Sequence, residues 1–292
     1  MKDANGGLWS SLAPHGAVAL LVGSLTGSLV VLSACEKGGG GDPDVELQPL
    51  PYGKPTQKLG VINDPATGTV SGQRVLVSGA QVLHEDTFDE LGDGSGRNRM
   101  YVQDSALEPP PYGGMLVFQP QFSPPTLRVM PGDVVDLAGP WERFALPRDT
   151  PRPIPEMSGA RVTFRFDPVN PVVAHPMTIL QLLDDAESYR WLSMLVTLED
   201  VAVLSLSGIT RPPDYKKGDK AAVGRASVSL FAKGGISTNE QPKITNELFD
   251  LGTFVYEHPL ANQDRLKRIT GIMTLFGSFN IAPRSADDIV LQ

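Results

Sequence analysis

Side chains capable of chemistry are few and scattered in this chain of 292 residues. Cys35 is its only cysteine, so neither a disulfide framework nor a cysteine-based zinc site can form within it. Beyond the apolar N-terminal segment the histidines are His84, His175 and His258. None has a histidine or cysteine three or four residues away, the spacing that places two ligands on one helix face, so no metal is expected. His175 precedes Pro176 and His258 precedes Pro259, which biases both towards extended backbone in loops or at strand edges. No serine sits in a Gly-x-Ser-x-Gly elbow, and neither a phosphate loop nor a dinucleotide fingerprint is present. The expectation is a chain with no cofactor and no catalytic residue.

Two charged stretches remain. Glu85, Asp86, Asp89, Glu90 and Asp93, followed by Gly94, could gather oxygen ligands around calcium. Their spacing departs from Asp-x-Asp-x-Asp-Gly, and a solvated hairpin loop accounts for the same residues. Arg211, Lys216, Lys217, Lys220 and Arg225 surround Tyr215, a pattern suited to single-stranded nucleic acid or an anionic glycan. An exposed loop with Asp214 and Asp219 diluting the charge is the other reading. The formal net charge is −8, and residues 60–150 hold six Lys/Arg against twelve Asp/Glu. Such a field repels a phosphate backbone, so nucleic acid is not the expected partner.

The elements that must position these residues begin after an unusual N-terminus. From Ala17 to Val31 the chain is apolar apart from Ser, Thr and Gly, with no charge. That length suits the core of a secretion signal and falls short of the roughly 20 residues of a membrane span. An uncleaved membrane anchor is the alternative. The run ends in Leu32-Ser33-Ala34-Cys35, which resembles the lipobox of bacterial lipoproteins, although Lys2 is the only basic residue before it. The resemblance implies cleavage before Cys35, acylation of its thiol by palmitate-type chains, and a location in the cell envelope, at the outer rather than the inner membrane. Residues 1–34 are then a signal peptide and 35–59 a Gly/Pro-rich tether spanning on the order of 27 Å if flexible.

Glycine (30) and proline (26) are frequent enough to suggest many turns and few long helices. Gln73–Leu83 has the β-branched residues of a strand, with Gly79 as a bulge; Arg99–Asp104 and Gly114–Phe118 are two more strands. Leu127–Gly139 reads as strand, Pro-Gly turn, strand. The second half repeats the plan with Met194–Leu204, Ser227–Phe231, Ile244–Phe249 and a hairpin from Leu266 to Arg284 around Gly277. Between the halves lie a proline-rich passage, 147–155, a strand over 160–166 and an amphipathic helix near 178–189. The spacing predicts an all-β chain with one short helix, made of two small antiparallel barrels at 60–150 and 151–292.

A family resemblance follows from these motifs. Asp93-Gly94, Arg99–Asp104 and Leu127–Asp133 resemble the OB-fold-like modules that accompany secreted bacterial endonuclease/exonuclease/phosphatase-type enzymes. So do Met194–Val203, Ile269–Met273 and Phe276–Arg284. The similarity covers most of 70–145 and 156–290 and extends to the accessory modules alone; the nuclease domain is expected to be absent. It implies ligand binding on a barrel face, for which Tyr101, Tyr112, Phe118 and Trp141 are candidates in the first barrel. Phe231, Phe249, Phe254 and Tyr256 are the comparable residues in the second. The expected function is a non-catalytic envelope module for a protein or polysaccharide partner. The alternative is a nucleic-acid-binding accessory of a separate secreted nuclease.

Overall fold

The computed structural model describes residues 57–88, 98–145, 153–166, 171–207, 227–232, 242–261 and 264–292. Cys35 and the basic cluster 211–225 lie outside them, as do Asp89, Glu90 and Asp93.

Seven strands form the first sheet: β1 (Gln73–Asp86), β2 (Arg99–Asp104), β3 (Gly114–Phe118), β4 (Gln121–Ser123), β5 (Val134–Phe144), β6 (Ile154–Ser158) and β7 (Arg161–Arg165). β1 is long because it must pair on both edges, with β5 over Gln73–Gln81 and with β2 over Ala80–Asp86. Register shifts between Val77 and Ala80 and between Val82 and His84 bend it enough to serve both neighbours. Gly79, with φ +70, takes the first bend, as its position in the sequence suggests. The ring runs β1-β2-β3-β6-β5 and back to β1, with β3 and β6 parallel. β4 and β7 extend the third and fifth members beyond the ring and also pair in parallel.

Alternate residues of these strands fill the interior. Val75, Val77, Met100, Val102, Met115, Val117, Val135, Leu137 and Met157 form the core. Helix α1 (Leu59–Asn63) adds Leu59 and Ile62 to it. Its first amides have no capping side chain next to them in sequence; Asp104 of β2 accepts from Leu59 N (2.9 Å) and Gly60 N (2.8 Å) instead. Burial raises the Asp104 carboxyl's pKa, against the pull of those two amides and of Lys58.

The second sheet comprises β8 (His175–Met177), β9 (Leu195–Ser207), β10 (Ser227–Ala232), β11 (Lys243–Thr245), β12 (Arg265–Phe276), β13 (Ser278–Ala282) and β14 (Ile289–Leu291). Its ring is β9-β10-β11-β13-β12 and back to β9, with β11 and β13 parallel. This is the strand order of the first ring. The fold is all-β, two closed five-stranded barrels in tandem, of the OB-like kind. The expected hairpin is present: Gly277 (φ +74) joins β12 to β13. Helix α4 (Leu251–Glu257) lies between the third and fourth ring strands and packs Leu251, Phe254 and Val255 into the core.

Three expectations change. β6 and β7 belong to the first sheet, although a break at 150/151 assigns them to the second barrel. The first ring needs β6 as its fifth strand, so the change of sheet falls between Arg165 and His175. Leu127–Met130 is not a strand; Leu127 and Val129 pack on the core from a turn leading into β5. The helix near 178–189 is two helices, α2 (Ile179–Leu183) and α3 (Asp185–Tyr189). Asp184 divides them, because its carboxylate accepts from Ala186 N and Glu187 N and caps the second.

Candidate binding surfaces

The outer faces of the barrels have different neighbours. Leu83, Tyr101 and Leu116 of β1, β2 and β3 form one buried cluster with Leu195, Leu248, Ile272 and Ala282 of the second barrel. Strands two and three are the face on which barrels of this type take ligands. In the first barrel that face is covered by the second.

The seam is bonded as well as apolar. Gln103 accepts from Leu195 N through Oε1 (3.2 Å) and donates from Nε2 to Val173 O (3.3 Å). Tyr112 N donates to Arg190 O (2.6 Å), and the Tyr189 hydroxyl to Pro153 O (2.5 Å). Asp86 and Arg99 form a buried ion pair at one end, and Glu247 lies within electrostatic range of Arg99.

All four candidates in the first barrel are described: Tyr101 and Trp141 are buried, while Tyr112 and Phe118, the latter at the end of β3, are half-buried. Tyr101 is 3% exposed within the seam, and Trp141 is 1% exposed in the core. The Trp141 indole donates to Asn63 Oδ1 (2.8 Å), while Asn63 Nδ2 donates to Gly114 O (2.6 Å) and Tyr112 O (3.0 Å). Tyr112 is half-buried with φ +62, and its carbonyl and amide serve α1 and the second barrel. The candidates Arg211, Tyr215, Lys216, Lys217, Lys220 and Arg225 lie outside the described residues, as does the acylation candidate Cys35. In the acidic stretch, Asp86 is committed to Arg99. No group of three or more His, Cys, Asp or Glu gathers among the described residues, and no described helix is long and apolar enough to cross a membrane.

Facing carboxylates are a feature that sequence reasoning missed. Glu142 and Glu156 are cross-strand partners, and the Ser158 hydroxyl donates to Glu156 Oε1 (2.7 Å). Burial, with Glu142 adding to it, raises the Glu156 carboxyl's pKa against Ser158 and Arg99. The pairing brings together residues 14 apart from separate strands, which nothing in their local sequence marks.

Among the described side chains, β10 and β11 contribute nothing to the seam cluster. Val228, Leu230 and Ile244 point into the barrel, so Ser227, Ser229, Lys243 and Thr245 alternate outward. Register extends these into rows: Ser205, Ser229, Lys243, Asn280 and Thr274 in one, Ser207, Ser227 and Thr245 in the next. The Thr245 hydroxyl oxygen is buried with no hydrogen-bond partner among the described residues. Ser229, Thr274 and Asn280 are buried, and Asn280 Nδ2 donates to Ser278 O (2.8 Å). The groups of these rows that can exchange hydrogen bonds with a polar ligand are therefore the hydroxyls of Ser205, Ser207 and Ser227 and the Lys243 ammonium; the residues themselves are ordinary ones that no motif singles out.

Two histidines are held against protonation. Burial lowers the His84 pKa, and Asp86, Arg284 and Asp288 surround it. Burial lowers His175 too, with Glu187 and Arg190 nearby and its ring stacked 3.4 Å from that of Trp191. A depressed folded-state value means stability is present above the unfolded value of about 6.5 and is lost as pH falls from there through the lower folded value. The thermal midpoint is therefore expected to fall between pH 8 and 5.5. Replacing both histidines with glutamine should shrink that fall, and an equal fall in the variant would contradict the assignment.

No protein-family model matches the chain, and no curated protein matches its sequence.

Proposed function

We propose that this chain is a non-catalytic lipoprotein of the cell envelope, held by acyl chains on Cys35, that binds a protein or polysaccharide partner. The contact is the outer face of β9, β10 and β11. What supports the reading is the relation of the barrels: the first spends its ligand face on the second, while the equivalent face of the second bears Ser205, Ser207, Ser227 and Lys243 at strand spacing. Hydroxyl groups and an ammonium at strand spacing suit the polar edge of a glycan chain or an extended peptide.

Capture from envelope extract tests this with the full lipidated chain as bait. A protein or glycan retained by the native chain should be lost, by about tenfold or more, from the double variant Ser207→Trp/Lys243→Glu. Labelled single-stranded DNA in fluorescence anisotropy tests the nuclease-accessory alternative. No binding is expected at about 150 mM salt, where the screening length is roughly 8 Å. Micromolar affinity that falls steeply with salt and vanishes when Arg211, Lys216, Lys217, Lys220 and Arg225 become alanine would establish the alternative instead.

A further inference from the structure

One end of the first barrel carries apolar side chains that the core does not use. Phe166 is 96% exposed, Met130 70%, Leu107 66% and Val61 50%. They come from four separate segments, and hydrogen bonds tie each segment to the same short piece of β1. Lys58, three residues before Val61, donates through Nζ to Ser78 O (3.0 Å). Arg165, next to Phe166, bonds the Ser78 hydroxyl and pairs with Asp136 (3.2 Å). Ser105, two residues before Leu107, donates its amide to Gly79 O (3.4 Å). The turn carrying Met130 is fixed by Gly132 N to Val82 O (2.8 Å) and Val82 N to Asp133 O (2.8 Å). Four segments carrying exposed apolar groups are thus tied to residues Ser78–Val82.

The chain enters the barrel beside the same piece of β1. Gln57 makes an isolated parallel bridge to Val77, with Gln57 N on Leu76 O (3.0 Å) and Ser78 N on Gln57 O (3.3 Å). Everything between Cys35 and the barrel therefore leads to Ser78. A segment of that length reaches on the order of 25 Å if flexible, so an anchored Cys35 keeps this end of the barrel within reach of the bilayer.

We infer that the surface of Val61, Leu107, Met130 and Phe166 rests on the lipid bilayer to which Cys35 tethers the chain. The inference deepens the lipoprotein reading and rests on it. The chemistry favours lipid over a protein partner. The apolar groups sit on four separate segments, two of which also carry the cationic Lys58 and Arg165. Apolar tips beside lysine and arginine stems suit shallow insertion among acyl chains and headgroups. This contact would also fix the tandem barrels relative to the bilayer.

The full lipidated chain carrying Phe166→Trp tests the contact in vesicles of phosphatidylethanolamine and phosphatidylglycerol with brominated acyl chains. Trp141 and Trp191 are 1% and 6% exposed, so they give a quiet background, and Trp9 leaves with the signal peptide. The expected result is flotation with the vesicles, a blue-shifted emission and a marked loss of it to bromine. Flotation with unchanged emission would overturn the bilayer contact while leaving the anchor intact. Failure to float would remove both the anchor and the contact. A blue shift that appears only on adding envelope proteins, without bromine quenching, would give the surface to a protein instead.

Discussion

Replacing Gly114 with alanine is expected to lower the stability of the tandem barrels by about 3 kcal/mol, at the upper end of the usual cost of overpacking. Gly114 opens β3 where that strand meets the second barrel. A Cβ built there lies 2.6 Å from Met194 Cγ, 2.7 Å from the Ser193 carbonyl carbon, and inside van der Waals contact of the Leu192 carbonyl oxygen. Two of those neighbours are backbone, which rotamer changes cannot move. Relief requires parting the chains, and that stretches two further links. Tyr112 N loses its 2.6 Å bond to Arg190 O, and Gly114 O shifts from Asn63 Nδ2, whose side chain also holds the Trp141 indole. One methyl group thus strains the seam and the first core together. The matching fall in thermal midpoint is roughly 6–12 °C for a unit of this size. Adding Met194→Ala should recover little, because it removes only the side-chain clash. Urea unfolding of the three variants checks this, and an unshifted midpoint for Gly114→Ala would show that the barrels do not meet as described.

The barrels were far more legible in the sequence than the surfaces they use. β2 and β3 occur at the limits their alternation suggests, and Gly79 and Gly277 bend the chain where an isolated glycine in a strand pattern implies. These features are local: a strand's period and a glycine's freedom are visible within a few residues. Pairing between distant segments is not. Tyr101 reads as a surface aromatic because its burial comes from Leu195 and Ile272, on strands of the other barrel. Trp141 reads the same way because its partner Asn63 lies 78 residues away in α1. β6 escaped notice because Ile154-Pro-Glu-Met-Ser, with a proline inside it, reads as part of the proline-rich passage. Its burial pattern shows only when it is set between β3 and β5. Leu127–Met130 erred in the opposite sense, since apolar residues near a Pro-Gly turn can face a core without pairing.

Asp86→Ala should cost about 3–5 kcal/mol, the range for removing one partner of a buried ion pair. The Asp86 side chain is 1% exposed and that of Arg99 11%. One carboxylate oxygen accepts both Arg99 Nη2 (2.6 Å) and Nε (2.9 Å), so the guanidinium is held by a forked, charge-assisted contact. Burial alone would lower the Arg99 pKa, but Tyr101, Asp86 and Glu247 outweigh it and the net shift is upward. The group therefore cannot escape by losing its proton, and without Asp86 it stays buried and charged beside Glu247 and the Tyr101 ring. Removing both charges has a different consequence. Asp86→Leu/Arg99→Met replaces the pair with apolar side chains at a seam already lined by Leu83, Tyr101 and Leu116, and such exchanges are often neutral or stabilising. The double variant is expected to unfold within about 1 kcal/mol of the native chain, well above Asp86→Ala. Urea midpoints of the native chain, Asp86→Ala and the double variant decide it. An Asp86→Ala chain as stable as the native one would mean that water reaches Arg99 and that the seam is open at this end. A double variant as unstable as the single one would instead make the ion pair, and not its burial, the source of the seam's stability.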